Sequence, residues 1–186
     1  RGSIDQAIAI DEVKKFIAQQ DLNAETRYIP KNVVPSLNGY LPEKVAIIGG
    51  GPAGLCAAYQ LAVKGYAVTV MDMMPEMGGM LRYGIPEYRL PKATLAAEIK
   101  QIEDLGVVLC NNVKVGKDVT LESLRESYDA VLVAVGAWKS TSIGCEGDKL
   151  QGVLGGIDML QEVNLGGRPN LGKNVAVVGG GNVAMD

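Results

Sequence analysis

The chain contains no histidine. That removes the usual general base, the commonest metal ligand and every Ser–His or Cys–His nucleophile pair. Its three cysteines, Cys56, Cys110 and Cys145, stand apart with no C-x-x-C spacing, which argues against both a disulfide framework and a zinc site. Cys56 within a helix and Cys110 at a strand end read as small buried hydrophobes. Dense basic runs are missing too, and the net charge is −3, so nothing draws the chain to nucleic acid or to an acidic membrane. The N-terminus lacks the continuous apolar stretch of a secretory signal. Val45 to Val63 carries no charge and approaches the ~20 residues of a membrane helix. Gly49, Gly50, Gly51 and Pro52 interrupt it, however, and Gln60 lies inside; a buried strand, turn and helix give the same composition. These absences predict a cytoplasmic protein with no nucleic-acid and no membrane partner. Any chemistry must come from a bound cofactor.

What is present is a 186-residue chain, 47% hydrophobic and 21% charged, enough for one good core and part of a second. Its organising stretch is Val45–Gly54, VAIIGGGPAG. Val45, Ala46, Ile47 and Ile48 form the apolar run of a strand buried within a parallel sheet. Gly49, Gly51 and Gly54 then give G-x-G-x-x-G spacing: a tight turn, a close approach of backbone to a pyrophosphate, and close helix–strand packing. Pro52 sits at the first helical turn, where its missing N–H costs nothing. The helix start offers N–H groups and partial positive charge to a dinucleotide diphosphate.

Ala53 to Val63 reads as a helix stopped at Lys64–Gly65, and Tyr66 to Met71 as the next strand. Asp72 ends that strand at about the distance, ≈20 residues, at which this unit places a carboxylate on the adenosine ribose. The alternative is a solvated strand-end acid. Further along, Met73 to Leu81 forms a loop whose paired Gly78–Gly79 lets backbone approach a ligand or simply makes a turn. The two prolines of RYGIPEYRLP keep that segment out of regular helix. Arg82 or Arg89 in it is placed to pair with a diphosphate, unless both are merely solvated.

The remaining elements are a helix from Thr94 to about Leu105 stopped by Gly106, and a strand at Val107–Cys110. A turn and extended ribbon over Asn111–Thr120, a short helix at Leu121–Glu126 and the apolar strand Ala130–Val135 ended by Gly136 follow. Ahead of the first strand lies an amphipathic helix within Arg1–Asp21, with Ile10, Val13, Phe16 and Ile17 on a face expected to pack on something. An irregular linker with Pro30, Pro35, Asn38–Gly39 and Pro42 comes after it.

The decisive observation is a repeat. Val175–Ala184, VAVVGGGNVA, presents Gly179, Gly181 and Ala184 in the G-x-G-x-x-A form, again directly behind a β-branched run. Two such units imply two dinucleotides, and the economical chemistry is hydride transfer from a nicotinamide at the second to a flavin at the first.

At these residues the sequence resembles the two-dinucleotide flavoproteins, and within them the small (beta) subunit of NADPH-dependent glutamate synthase and its relatives. The resemblance runs from about Gly2 to Asp186 and is most specific in PEMGGMLRYGIPEYRLP, YDAVLVAVGAWKS and VAVVGGGNVAMD. It implies an α/β fold: a Rossmann-like FAD-binding domain with a central parallel sheet at 41–145, after an N-terminal helix and linker at 1–40. A second Rossmann-like, NAD(P)-binding domain would begin at 146–186. By the same resemblance Gly49, Gly51, Pro52, Ala53 and Gly54 hold the FAD diphosphate, and Asp72, with Met73 beside it, meets the adenosine ribose. Gly79, Met80 and Leu81 follow the cofactor toward the flavin, Arg89 contacts it, Val115 offers backbone to the adenine end, and Gly136 offers backbone at its strand end. Gly179, Gly181, Asn182 and Val183 meet the diphosphate of NADPH or NADH. The resemblance further implies a fragment of a longer protein whose iron-sulfur clusters lie in a separate N-terminal domain. Its electrons would pass to a large subunit such as a glutamate synthase alpha chain. A flavoprotein of the ferredoxin:NADP oxidoreductase or dihydropyrimidine dehydrogenase type, or a non-catalytic dinucleotide-binding module, is the alternative.

Overall fold

The computed structural model of the protein describes residues 5–31 and 41–186, which fall into two compact units, Arg1–Pro30 and Lys31–Asp186. The expected Pro35 and Asn38–Gly39 of the linker lie outside the described residues.

In the first unit, helix α1 (Ile10–Leu22) forms as the apolar spacing predicts. On its apolar face Ile10, Val13, Phe16 and Ile17 are all exposed. Arg27 closes the end of this unit by donating Nε and Nη2 to Asp21 Oδ2 at 2.8 and 2.7 Å, which holds the Asp21 carboxyl below the ordinary aspartate range.

The second unit is built on four parallel strands, β1 (Lys44–Ile48), β2 (Ala67–Met71), β3 (Val108–Cys110) and β4 (Ala130–Val133), in the order β3-β2-β1-β4. β1 lies in the middle, paired with β2 through Ile47↔Val70 and with β4 through Ile47↔Leu132. Central strands flanked on both sides read as unbroken apolar runs, and Ala46 and Ile47 are fully buried. Helix α2 (Pro52–Val63) carries the crossover from β1 to β2. It packs Leu55, Ala58 and Ala62 against Val45, Ile47, Val68 and Val70, with Leu95 and Ile99 of helix α4 (Lys92–Asp104) completing the core. α2 ends where Lys64–Gly65 predicts: Gly65 takes a φ of +95°, its N–H donates to Ala62 O at 2.9 Å, and Tyr66 N–H donates to Leu61 O at 3.1 Å, the paired closure of a Schellman motif. Helix α5 (Leu121–Ser127) is capped by Thr120, whose hydroxyl accepts from Ser123 N–H at 3.1 Å, and leads into β4.

The strand order reverses between β1 and β4, and in such sheets the crevice at the carboxyl ends beside the reversal is where ligands bind. A cavity of about 540 Å³ lies at the other end of the strands, lined by Lys44, Ala67, Thr69, Val108 and Tyr128. It does not touch the glycine turn.

Three expectations are corrected. Met80–Tyr83 forms a helical turn, α3, because the prolines of this segment, Pro86 and Pro91, fall after it and leave its N–H groups free to bond back to Gly78 and Gly79 carbonyls. Asn111–Thr120 is a tight turn rather than a ribbon, with Lys117 and Asp118 N–H both donating to Lys114 O at 3.0 and 2.8 Å. Cys56 is exposed and Cys110 half-buried: the buried positions of α2 are 54, 55, 58 and 62, and position 56 turns off that face.

Beyond β4 come helix α6 (Gly156–Asn164) and the short helix α7 (Asn182–Met185). The strand expected at Val175–Val178 is not formed, and Val175, Val177 and Val178 are exposed. A strand exists by hydrogen bonding to a neighbour, and among the described residues no strand lies beside it.

Candidate dinucleotide site

The turn after β1 is fixed on three sides. Gly49 takes a φ of +110°, a region that L side chains rarely adopt, and its N–H donates to Met71 O at 2.8 Å. A Cβ built on Gly49 would lie 2.3 Å from Ala134 O, and one on Gly54 would lie 1.9 Å from Gly49 O. The third glycine of the motif therefore lets the first turn of α2 press directly on the strand end. Gly51 caps the helix with φ −82° and ψ −174°, and Pro52 occupies its first turn. Leu55 N–H makes the first return bond, to Gly51 O at 2.9 Å. The N–H groups of Gly51, Ala53 and Gly54 take no protein partner among the described residues. Three unfilled donors at a helix N-terminus, of which Ala53 is exposed, Gly51 half-buried and Gly54 buried, suit a diphosphate.

A second wall comes from the loop after β2. Asp72 is buried; its Oδ2 accepts from Gly50 N–H at 2.6 Å and its Oδ1 from Met74 N–H at 2.8 Å. Met73 is exposed beside it. The Gly78–Gly79 pair then returns to the turn: Gly78 N–H donates to Gly50 O at 2.7 Å, and a Cβ on Gly79 would lie 2.6 Å from Gly51 Cα. Gly79 caps α3, which carries Met80, while Leu81 is half-buried against the core. A third wall is the end of β4, where Ala134 N–H donates to Ile48 O at 2.8 Å before Gly136 turns with a φ of +70°.

Gly49, Gly51, Pro52, Ala53, Gly54, Asp72 and Gly79 are thus brought together at one strand end. The arginines are not free to join them. Arg82 donates Nε to Met77 O at 2.7 Å and pairs with Glu76 at 2.7 Å. Arg89 forms an ion pair with Asp186 and lies over the Tyr88 ring at 5.9 Å; the hydrogen bond with Tyr88 and the Asp186 charge raise its pKa further. Val115 sits in its own turn, bridged to Val119. Lys92 donates Nζ to Leu81 O at 3.2 Å and to Ile85 O, and burial pulls its pKa down.

Sequence reasoning missed Gly50, which the motif treats as a free position. A Cβ there would lie 2.0 Å from Met77 Sδ, so only glycine lets the buried Met77 cover the turn. The signal was visible as three glycines in a row. Tyr83 was missed as well: its hydroxyl accepts from Glu76 N–H and donates to Glu76 O, both at 3.0 Å, which pins the 76–83 loop. Burial raises its pKa.

The second glycine motif repeats the backbone of the first. Gly179 has φ +125° and Gly181 φ −81°, ψ 179°, matching Gly49 and Gly51. Its third position is Ala184, whose Cβ is the nearest atom to a Cβ built on Gly179, at 3.6 Å. That is ordinary contact, and explains why alanine is accommodated there. Asn182 and Val183 open α7.

The sequence profile of the family described as pyridine nucleotide-disulphide oxidoreductase matches residues 43–186. The chain belongs to this family. The whole chain is 43% identical to 29% of the NADP(+)-dependent formate dehydrogenase subunit beta of Moorella thermoacetica. Over 97% of its length it is 39% identical to the glutamate synthase [NADPH] small chain of Azospirillum brasilense, covering 39% of that protein. The solved structure of Mycobacterium tuberculosis FprA in complex with NADPH superposes with a TM-score of 0.60 at 30% identity, over 67% of this chain and 29% of that one. The chain therefore spans well under half the length of these relatives. In this oxidoreductase family the α/β fold with a parallel Rossmann-like sheet is the expected frame. The disulphide in the family's description has no counterpart in the cysteines, all three of which are free.

Proposed function

We propose that the protein takes electrons from NADPH or NADH through FAD to iron-sulfur clusters and a partner subunit, in the manner of a glutamate synthase small chain. The observation that carries this reading is the pair of glycine turns with one backbone geometry, at Gly49–Gly51 and Gly179–Gly181. Two helix-mouth anion sites in one chain suit one dinucleotide each.

In this reading residues 41–145 form the first part of an FAD-binding domain and 146–186 the start of an NAD(P)-binding domain. The turn fits FAD: three N–H donors are unfilled, and the positions where a side chain would intrude are glycine. Gly51, Ala53 and Gly54 hold its diphosphate, Asp72 and Met73 lie at the adenosine ribose, and Gly79, Met80 and Leu81 line the way to the flavin. Gly136 and Val115 contribute backbone, and Arg89, released from Asp186, contacts the cofactor. Gly179, Gly181, Asn182 and Val183 hold the nicotinamide dinucleotide. The flavin supplies acceptance of a hydride and its release as single electrons. The chain supplies orientation, which suffices because the step needs no side-chain acid or base.

Among the described residues no group of three or more His, Cys, Asp or Glu side chains is placed to hold a metal; the reading assigns the clusters to a separate N-terminal domain. No described helix is long and apolar enough to cross a membrane; the cytoplasmic setting is part of the proposal. The partner is a large subunit of the glutamate synthase alpha-chain type; the similarity to a formate dehydrogenase subunit makes an electron-exchanging partner of that class the second reading. Anaerobic titration of the full-length gene product tests the proposal. NADPH or NADH should bleach the visible flavin absorbance; a flavin that neither bleaches, or a protein without flavin, overturns it.

A further inference from the structure

We infer that Asn164 is a positioning residue between the two nucleotide sites: it fastens α6 to α3 and so sets the second glycine turn, Gly179–Gly181, at a fixed orientation to the first. The inference rests on the assignment of one dinucleotide to each turn. It starts from a carbonyl that the sequence leaves short of a local donor. Tyr83 ends α3, and the last carbonyls of a helix must find partners outside it. Three residues on stands Pro86, which has no N–H to give. Among the described residues the donor that reaches Tyr83 O comes from α6. Asn164 Nδ2 donates to it at 3.1 Å, and to Leu160 O, one turn back in its own helix, at 2.9 Å. A side-chain amide carries two N–H donors, so one serves each carbonyl.

Both ends of this fastening are seated. Tyr83 is buried, its hydroxyl is bonded to the N–H and O of Glu76 at 3.0 Å, and its ring lies 5.9 Å from that of Trp138. It is thus pinned within the same short helix that carries Met80 and Leu81. On α6, Leu160 is buried and Gln161 Nε2 reaches Met74 Sδ at 3.9 Å, a second contact with the crevice walls, on the loop after β2. The start of α6 meets α7. A Cβ built on Gly156 would lie 2.7 Å from Val183 Cγ1, so glycine there lets Val183, beside the second turn, sit on the helix. A parallel route leaves the same segment: the Tyr88 hydroxyl donates to Asp186 O at 3.3 Å and Arg89 pairs with the Asp186 carboxylate. The Asn164 bond is the more sheltered of the two routes. Hydride passes between two rings only at close approach, and a misplacement of about 1 Å can cost ~10²-fold in rate. The joint therefore bears on the transfer rather than on the binding of either nucleotide.

The test compares wild type with Asn164→Ser and Asn164→Leu in the full-length protein. Serine can bond back to Leu160 O within the helix but is too short to reach Tyr83, so it removes the crossing bond alone. Hydrogen exchange without nicotinamide nucleotide should show residues 80–89 and 156–164 protected in the wild type and exchanging at least about tenfold faster in both variants. Stopped-flow mixing should show the limiting rate of flavin reduction lowered at least about tenfold. Flavin content and the half-saturating nucleotide concentration should stay within about twofold of wild type. Free exchange of these segments in the wild type, or a limiting rate in Asn164→Ser equal to wild type, overturns the inference. A loss of flavin or of nucleotide affinity large enough to account for the slower reduction overturns it in favour of a role in stability alone. Should Asn164→Leu fail to fold, Asn164→Ser decides. If the wild type carries no flavin, or neither NADPH nor NADH reduces it, the proposed function fails, while exchange in 80–89 and 156–164 still reports separately whether α6 is fastened to α3.

Discussion

Replacing Gly54 by alanine puts a methyl carbon 1.9 Å from Gly49 O, more than an ångström inside any tolerable contact. The obstacle is backbone, and it cannot swing aside: Gly49 is pinned by its N–H bond to Met71 O and by a φ of +110°. Its own position is packed against Ala134 O. Relief therefore requires the first turn of α2 to rise off the strand end, which also unseats Leu55, buried in the core directly after it. Overpacking of this kind costs about 1–3 kcal/mol, and the absence of a yielding neighbour argues for the upper end. For a domain of 150–250 residues melting as its own transition, that corresponds to a fall in Tm of about 2–12 °C. The same displacement turns the N–H groups of Gly51 and Ala53 away from a diphosphate, so retained FAD should fall at least about tenfold. Differential scanning calorimetry and flavin content of the purified full-length variant check both. A Gly54→Ala protein within 1 °C of wild type with undiminished flavin would refute the reasoning (the limit corresponds to about 0.3 kcal/mol).

Other changes have equally definite expected outcomes. Gly50→Ala should destabilise by about 1–3 kcal/mol through Met77, and in a double-mutant cycle Met77→Ala should recover part of that loss, with a coupling of at least about 0.5 kcal/mol by chemical denaturation. Ile47→Ala, at a fully buried position of the central strand, should cost about 2–5 kcal/mol in the same assay. Tyr83 has a folded pKa raised above the ordinary 10.0 by burial, so its contribution is fully present below pH 10 and is lost as pH rises through the folded value. Tyr83→Phe should flatten the stability profile above pH 10 and remove about 1 kcal/mol below it; an unchanged alkaline profile contradicts the role given to this hydroxyl.

The central sheet was legible because its strands are apolar runs bounded by turns. Val45–Ile48, Tyr66–Met71, Val107–Cys110 and Ala130–Val135 all form strands, the first one residue longer at its start and the other three shorter by a residue or two at one end. The helix stops at Gly65 and Gly106 were legible for the same local reason, since both take positive φ. What escaped depended on partners distant in sequence. Whether Val175–Val178 becomes a strand is decided by a neighbour and not by β-branching. The exposure of Cys56 follows from which face of α2 meets the sheet. The glycine motif announced its first, second and third glycines, yet Gly50 acquires its role only because Met77 and Asp72 close over it. Arg82 looked like a free cation in sequence, and only the fold shows Glu76 and Met77 O already holding it.

The nucleotide released on denaturing the full-length protein tests the account most directly, because identification by chromatography and mass needs no assumption about activity. FAD recovered in a one-to-one ratio with the chain, and sharply reduced in Gly54→Ala, is the predicted result. Recovery of NAD without flavin, or FAD undiminished by Gly54→Ala, would contradict it.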